Sequence, residues 1–162
     1  MNKRSTTSNG DRRFTTPKTL AQCKTLAGVE AFDLDPCADP DPESPKTATT
    51  GLIGDGLTPT WRGNVFVNPP WSNIGPWAEK AWAEWTAGNV QTITVLLPDN
   101  RQSTKWWQEL VEPSRDGKNP SNPSLTTHYL PGRPKYGSPG DPLGLNADSP
   151  PFGAVVLIWR LP

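Results

Sequence analysis

Gly63-Asn64-Val65-Phe66-Val67-Asn68-Pro69-Pro70-Trp71 is the stretch on which the reading of this chain turns. Its apolar residues are β-branched or aromatic, the types that suit a pleated, buried strand. Two prolines then stop the strand, because neither has an N–H to give to a ladder and both fix φ. A buried strand therefore runs straight into a stiff loop that carries one amide and one indole. Beyond it Trp77, Ala81, Trp82 and Trp85 recur at helical spacing, so the pattern predicts an amphipathic helix over 73–87 with those tryptophans in its packing face.

Working outward, Thr92-Ile93-Thr94-Val95-Leu96-Leu97 reads as the next strand, ending at Pro98-Asp99. A helix is expected over 103–111, a short strand over 127–130 and a closing strand over 153–159. Trp106 and Trp107 are adjacent, so at most one of them packs well. On the other side, Thr16 can cap a helix that admits Pro17 in its first turn and stops at Gly28. Ala31-Phe32-Asp33-Leu34-Asp35 alternates apolar and acidic residues and halts at Pro36, as a short strand would. Residues 36–50 and 112–127 are too rich in proline and polar residues for buried elements, and Gly54-Asp55-Gly56-Leu57 is a turn. Strands alternating with helices imply an α/β fold with a mainly parallel sheet, in which ligands sit beyond the carboxyl ends of the strands. Asp35, Asn68 and Asp99 fall at such ends.

Composition limits what the chain can do. With 162 residues there is room for one domain, and 33% hydrophobic residues with 20 prolines leave a small core among long Pro/Gly-rich loops. We expect a flexible polar arm over 1–13 and a single domain over 14–162. The longest apolar run, Phe152 to Trp159, is far short of the roughly 20 residues that cross a bilayer. No apolar stretch follows the basic N-terminus, so a cytoplasmic, membrane-free protein is expected. Cys23 and Cys37 form no CxxC pair, and His128 is the single histidine, so reduced thiols and no metal site are expected. The net charge of zero excludes a generally basic nucleic-acid coat. Any DNA contact must come from local groups; basic residues gather at Lys3, Arg4, Arg12, Arg13 and Lys18, acids at Asp33, Asp35, Asp39, Asp41 and Glu43.

The chemistry lies in Asn68-Pro69-Pro70-Trp71. An aromatic amino group is a poor nucleophile while its lone pair is delocalised into the ring. The Asn68 side-chain oxygen and the Pro69 carbonyl can each accept one N–H, which favours a tetrahedral nitrogen with its lone pair free. The prolines hold that carbonyl still. A base inside a duplex has to be turned out of the stack to reach such a loop. Trp71 offers it a stacking surface worth roughly 1–3 kcal/mol.

With these residues in view, the chain resembles the phage-type DNA N6-adenine methyltransferases over about residues 14–160. The markers are Thr16-Pro17, FDLDPCA at 32–38, GDGL at 54–57, WRGNVFVNPPW at 61–71, VLLPDN at 95–100, GRPKYG at 132–137 and GAVVLIWR at 153–160. The resemblance implies a minimal Rossmann-like methyltransferase sheet with helices on both faces. It also implies S-adenosyl-L-methionine as cofactor, double-stranded DNA as substrate, and direct methyl transfer to a flipped adenine without a covalent protein intermediate. In related enzymes the acid of a DPCA-like motif contacts the methionine part of the cofactor, which points to Asp35 with Pro36, Cys37 and Ala38. The Asp of a GD motif receives the cofactor adenine, which points to Asp55. Arg101, Arg133 and Lys135 are candidate phosphate contacts, and a monomer is expected. Two departures stand out: Asp39-Pro40-Asp41-Pro42 replaces the usual glycine-rich loop, and fewer than two dozen residues separate Asp35 from Asp55, so no acid is assigned to the cofactor ribose.

Other readings share some of these residues. Cytosine N4, an RNA base and a protein glutamine also present a planar NH₂, and an inert DNA-binding relative would keep the fold. A cytosine-C5 enzyme built on Cys37 is rejected, because neighbouring acids raise a thiol pKa and the NPPW loop would have no role.

Overall fold

A computed structural model describes residues 11–121 and 124–161. Of the expected arm, residues 1–10 lie outside those described. Helix α1 (Pro17–Ala27) begins where Thr16 accepts from the Thr19 N–H at 3.4 Å, and ends at Gly28, whose left-handed φ of 72° lets its N–H return to the last turn. Strand β1 is only Leu34–Asp35, shorter than the alternation of residues 31–35 implied. The Asp33 carboxylate takes the Asn64 N–H at 2.8 Å there, so a side chain replaces a rung of the ladder.

Strand β2 (Thr50–Gly51) lies at the end of the expected loop, beside β1. Strand β3 (Gly63–Val67) leads through Asn68-Pro69-Pro70 into a 3-10 turn (Trp71–Asn73) and helix α2 (Gly75–Thr86). Strand β4 (Val90–Pro98) is the longest. The helix expected over 103–111 is largely a π-helical turn (Trp107–Val111), closed by the Glu112 N–H on the Trp107 carbonyl at 2.9 Å. Trp107 is buried there and Trp106 only partly. Strands β5 (Leu125–Tyr129) and β6 (Ala154–Arg160) complete the sheet.

The order across the sheet is β2-β1-β3-β4-β6-β5. The first four strands are parallel, while β6 runs antiparallel to β4 and to β5, so the mainly parallel expectation holds for one side of a mixed sheet. Alternation along the strands feeds two cores. Val65, Val67, Ile93, Val95, Leu157 and Trp159 pack with Trp77 and Ala81 of α2. Phe66, Leu96, Val156 and Ile158 pack with Leu20 and Cys23 of α1. Helices thus cover both faces, which is why β6 is a continuous apolar run. The chain moves outward from β1 to β2, then returns past β1 to β3 and β4. That reversal opens a crevice beyond the carboxyl ends of β1 and β3, where Asp35 and Asn68 stand.

Candidate active site

Asn68 leaves the sheet one residue after the fully buried Val67. Its Nδ2 donates to the main-chain carbonyl of Arg13 at 3.0 Å and to the Thr15 hydroxyl at 3.1 Å. A carbonyl has no hydrogen to give, so this contact defines which end of the amide is nitrogen. Oδ1, at the other end, is buried and has no hydrogen-bond partner. Leaving such an acceptor unsatisfied costs roughly 1–3 kcal/mol, so the oxygen is primed for an incoming N–H.

Asn68 and Pro70 line a cleft of about 1340 Å³ together with Asp35, Pro36, Cys37, Ala38 and Asp55. Small-molecule sites commonly occupy ~300–1,000 Å³, so the cleft is large enough for a ligand of that class. Asp35 is 5% exposed. Its carboxylate accepts the Cys37 N–H at 2.9 Å and the Thr47 hydroxyl, and burial still pushes it up to about 6. Neither partner is a cation, so an ammonium group would suit this carboxylate.

Asp55 is exposed on the cleft rim, and its Oδ1 caps its own turn by accepting the Leu57 and Thr58 N–H groups, each at 3.1 Å. The adjacent Gly56 approaches Pro36 so closely that a Cβ would lie 1.6 Å from the Pro36 oxygen. The buried Trp61 indole donates to the Gly56 carbonyl at 2.7 Å and holds the turn from beneath. The DPCA and GDGL segments are therefore fastened to each other.

The sequence placed residues 11–13 in the flexible arm; they instead pack against the site. Arg12 makes a two-pronged ion pair with Asp39, Nε to Oδ2 at 2.9 Å and Nη2 to Oδ1 at 2.7 Å. Burial works to raise the Asp39 carboxyl, but the Arg12 hydrogen bonds and charge outweigh it and hold it below its ordinary value. Asp11 accepts from the Ser72 hydroxyl and N–H. The Arg13 guanidinium lies over the Trp71 ring, which also contacts Tyr136 edge-on at 5.3 Å and Phe152 at 5.0 Å. Trp71 was expected to offer an open surface, and a guanidinium covers part of it. The ring lines a second cleft of about 370 Å³ with Tyr136, Pro150 and Pro151, and Arg12 and Arg13 line both clefts.

Pro69 is buried and lines neither cleft. Arg101, Arg133 and Lys135 line neither cleft. Arg133 and Lys135 are exposed on the segment leading to Tyr136; Arg101 is half-buried, bonded to Asn100 at 2.8 Å, and its charge reaches Arg13. Sequence reasoning missed Thr15, Thr47 and Trp61, and saw Arg12 and Arg13 only as charge. No group of three or more His, Cys, Asp or Glu side chains suited to a metal occurs among the described residues, nor is any helix there long and apolar enough to cross a membrane.

Comparison with curated proteins and with solved structures gives no match. Comparison with protein families does: residues 4–116 match the family described as DNA N-6-adenine-methyltransferase (Dam). The match covers more than half of the chain and takes in Asp35, Asp55, Asn68 and the NPPW loop; this chain belongs to the DNA N-6-adenine-methyltransferase (Dam) family.

Proposed function

We propose that this chain is an S-adenosyl-L-methionine-dependent enzyme, built on a minimal Rossmann-like sheet, that methylates the exocyclic amino group of an adenine flipped from double-stranded DNA. The observation that carries the reading is the buried, unpartnered Oδ1 of Asn68, a residue that lines the same cleft as Asp35. Bound in that cleft, the cofactor supplies a methyl group on a positively charged sulfur, already activated for transfer. Asp35 receives the cationic amino group of its methionine part. Pro36, Cys37 and Ala38 line the wall beside it, and Asp55 at the rim takes the adenine end. Asn68 Oδ1 and the Pro69 carbonyl would each accept one N–H of the target amine, freeing its lone pair to attack the methyl carbon as the carbon–sulfur bond breaks. The cationic nitrogen so formed would lose one proton to solvent. Trp71 stacks on the flipped base once the Arg13 guanidinium moves aside. Arg101, Arg133 and Lys135, which lie outside both clefts, contact phosphates of the bound DNA.

The test is product analysis with Asn68→Ala. DNA treated with the wild-type protein and labelled cofactor, then digested to nucleosides, is expected to yield N6-methyladenine. The variant is expected to fold and bind cofactor normally yet transfer almost nothing. Label in N4-methylcytosine, in RNA or only in protein would overturn the adenine-in-DNA assignment. Full activity of Asn68→Ala would overturn the mechanism.

A further inference from the structure

The two ends of a side-chain amide have nearly the same shape and opposite chemistry. At Asn68 the difference decides function, because a turned amide would meet a substrate NH₂ with another NH₂ and would draw no hydrogen from it. Something has to choose the rotamer. We infer that Thr15, acting with the main-chain carbonyl of Arg13, is a positioning residue that locks the Asn68 amide with its oxygen toward the substrate; the inference rests on the catalytic reading of Asn68.

Three observations carry it. Both hydrogens of the Asn68 amide nitrogen have acceptors, the Arg13 carbonyl at 3.0 Å and the Thr15 hydroxyl at 3.1 Å, while the oxygen has no partner. The lock is dry: Thr15 is 4% exposed, so water does not readily replace its hydroxyl. The lock is also rigid, because both flanks of Thr15 are tied. Phe14 exchanges two main-chain hydrogen bonds with Gly137, at 2.8 and 2.9 Å, and Thr16 caps helix α1. Gly137 is itself wedged, since a Cβ there would lie 2.0 Å from the Pro142 oxygen. Side chains held in this way by a second layer of hydrogen bonds are pre-organised for transition-state contacts and do not need to be ordered during the reaction.

Thr15→Val keeps the shape and removes the acceptor, and Thr15→Ser restores the acceptor. Steady-state methylation of unmodified duplex DNA with labelled cofactor is the assay, with Asn68→Ala run beside both variants. Thr15→Val is expected to lower kcat about tenfold, as the loss of an aligned hydrogen bond would. KM for DNA and for cofactor should stay within about twofold, because Thr15 is proposed to act on the amide and not on binding. Thr15→Ser is expected to recover kcat to within about twofold of wild type. A wild-type kcat in Thr15→Val, a change confined to KM, or failure of serine to restore kcat would each overturn the lock. If the valine variant melts below assay temperature, Thr15→Ala takes its place with the same expected loss. An inactive Asn68→Ala beside a fully active Thr15→Val overturns the lock alone, whereas a fully active Asn68→Ala overturns the catalytic reading beneath it.

Discussion

The Arg13 guanidinium carbon sits 3.7 Å from the centroid of the Trp71 ring, so the indole proposed to stack on a base already has a flat cation against it. A guanidinium and a purine are both planar, and each can occupy an aromatic face. Arg13→Ala removes this stack but leaves the main-chain carbonyl that holds Asn68. We expect a loss of about 1 kcal/mol in stability, read as a melting temperature ~2–4 °C lower. An unchanged melting temperature would mean the stack contributes nothing in solution.

Burial raises the Asp35 carboxyl to about 6, so the folded protein holds this proton more tightly than the unfolded chain does. The stabilising share is therefore complete below about pH 4, the ordinary carboxylate range, and is lost as pH rises through 6. Asp35→Asn should stabilise the ligand-free protein at pH 8, by at most about 3 kcal/mol, and should bring no comparable gain at pH 4. Thermal melts at the two pH values test this. Calorimetry at pH 8 should show weaker cofactor binding by the variant, and an unchanged affinity would refute the assignment of Asp35.

The Arg12–Asp39 pair shifts Asp39 in the opposite direction. Its carboxyl is held below the ordinary value, so the pair contributes stability above the ordinary carboxylate range and loses it as pH falls through the depressed value. Both side chains are partly exposed, at 26% and 17%, which limits the coupling to about 1 kcal/mol. A double-mutant cycle of Arg12→Ala and Asp39→Asn at pH 7 should return a coupling of that size, shrinking in high salt.

Gly56 has no room for a methyl group against the Pro36 carbonyl, and both atoms in the clash belong to main chain or its first carbon. Gly56→Ala must push the GDGL and DPCA turns apart. We expect a loss of about 1–3 kcal/mol by urea denaturation together with weakened cofactor binding. A variant with normal stability would show that the two turns yield independently.

The NPPW loop was legible because its information is local: a β-rich run, two prolines and a ring, all consecutive. Helix α1 was legible for the same reason, with its cap, first-turn proline and terminal glycine in order. The alternating run marked Asp35 as a strand-end acid, although the strand there is only two residues long, and its cofactor role came from the resemblance alone. Strand β2 was invisible because it is two exposed residues that pair through main chain alone. The π-helical turn was read as an ordinary helix, since one apolar stripe serves a turn closed over four residues or five. The antiparallel direction of β6 could not be seen either, as a strand buried on both faces is apolar whichever way it runs. Thr15 and Arg13 meet Asn68 across 53 and 55 residues, a distance over which composition carries no signal. The basic pair Arg12-Arg13 therefore read as part of an arm, when each residue has a specific partner.

Strand β6 lies between β4 and β5, and this sets an order of events during synthesis. Until residues 154–160 have been made, one long edge of β4 has no neighbour, and β5 has none on the side that β6 will fill. A nascent chain then displays Val90–Pro98, with buried-type residues along most of its length, as an open edge able to pair with another chain. Shielding by a chaperone or by the ribosome matters most in that interval, and a chain interrupted before Ala154 is expected to aggregate. The loop proposed to do the chemistry precedes β6 by more than eighty residues, so the sheet that supports it closes only well after the loop has been made.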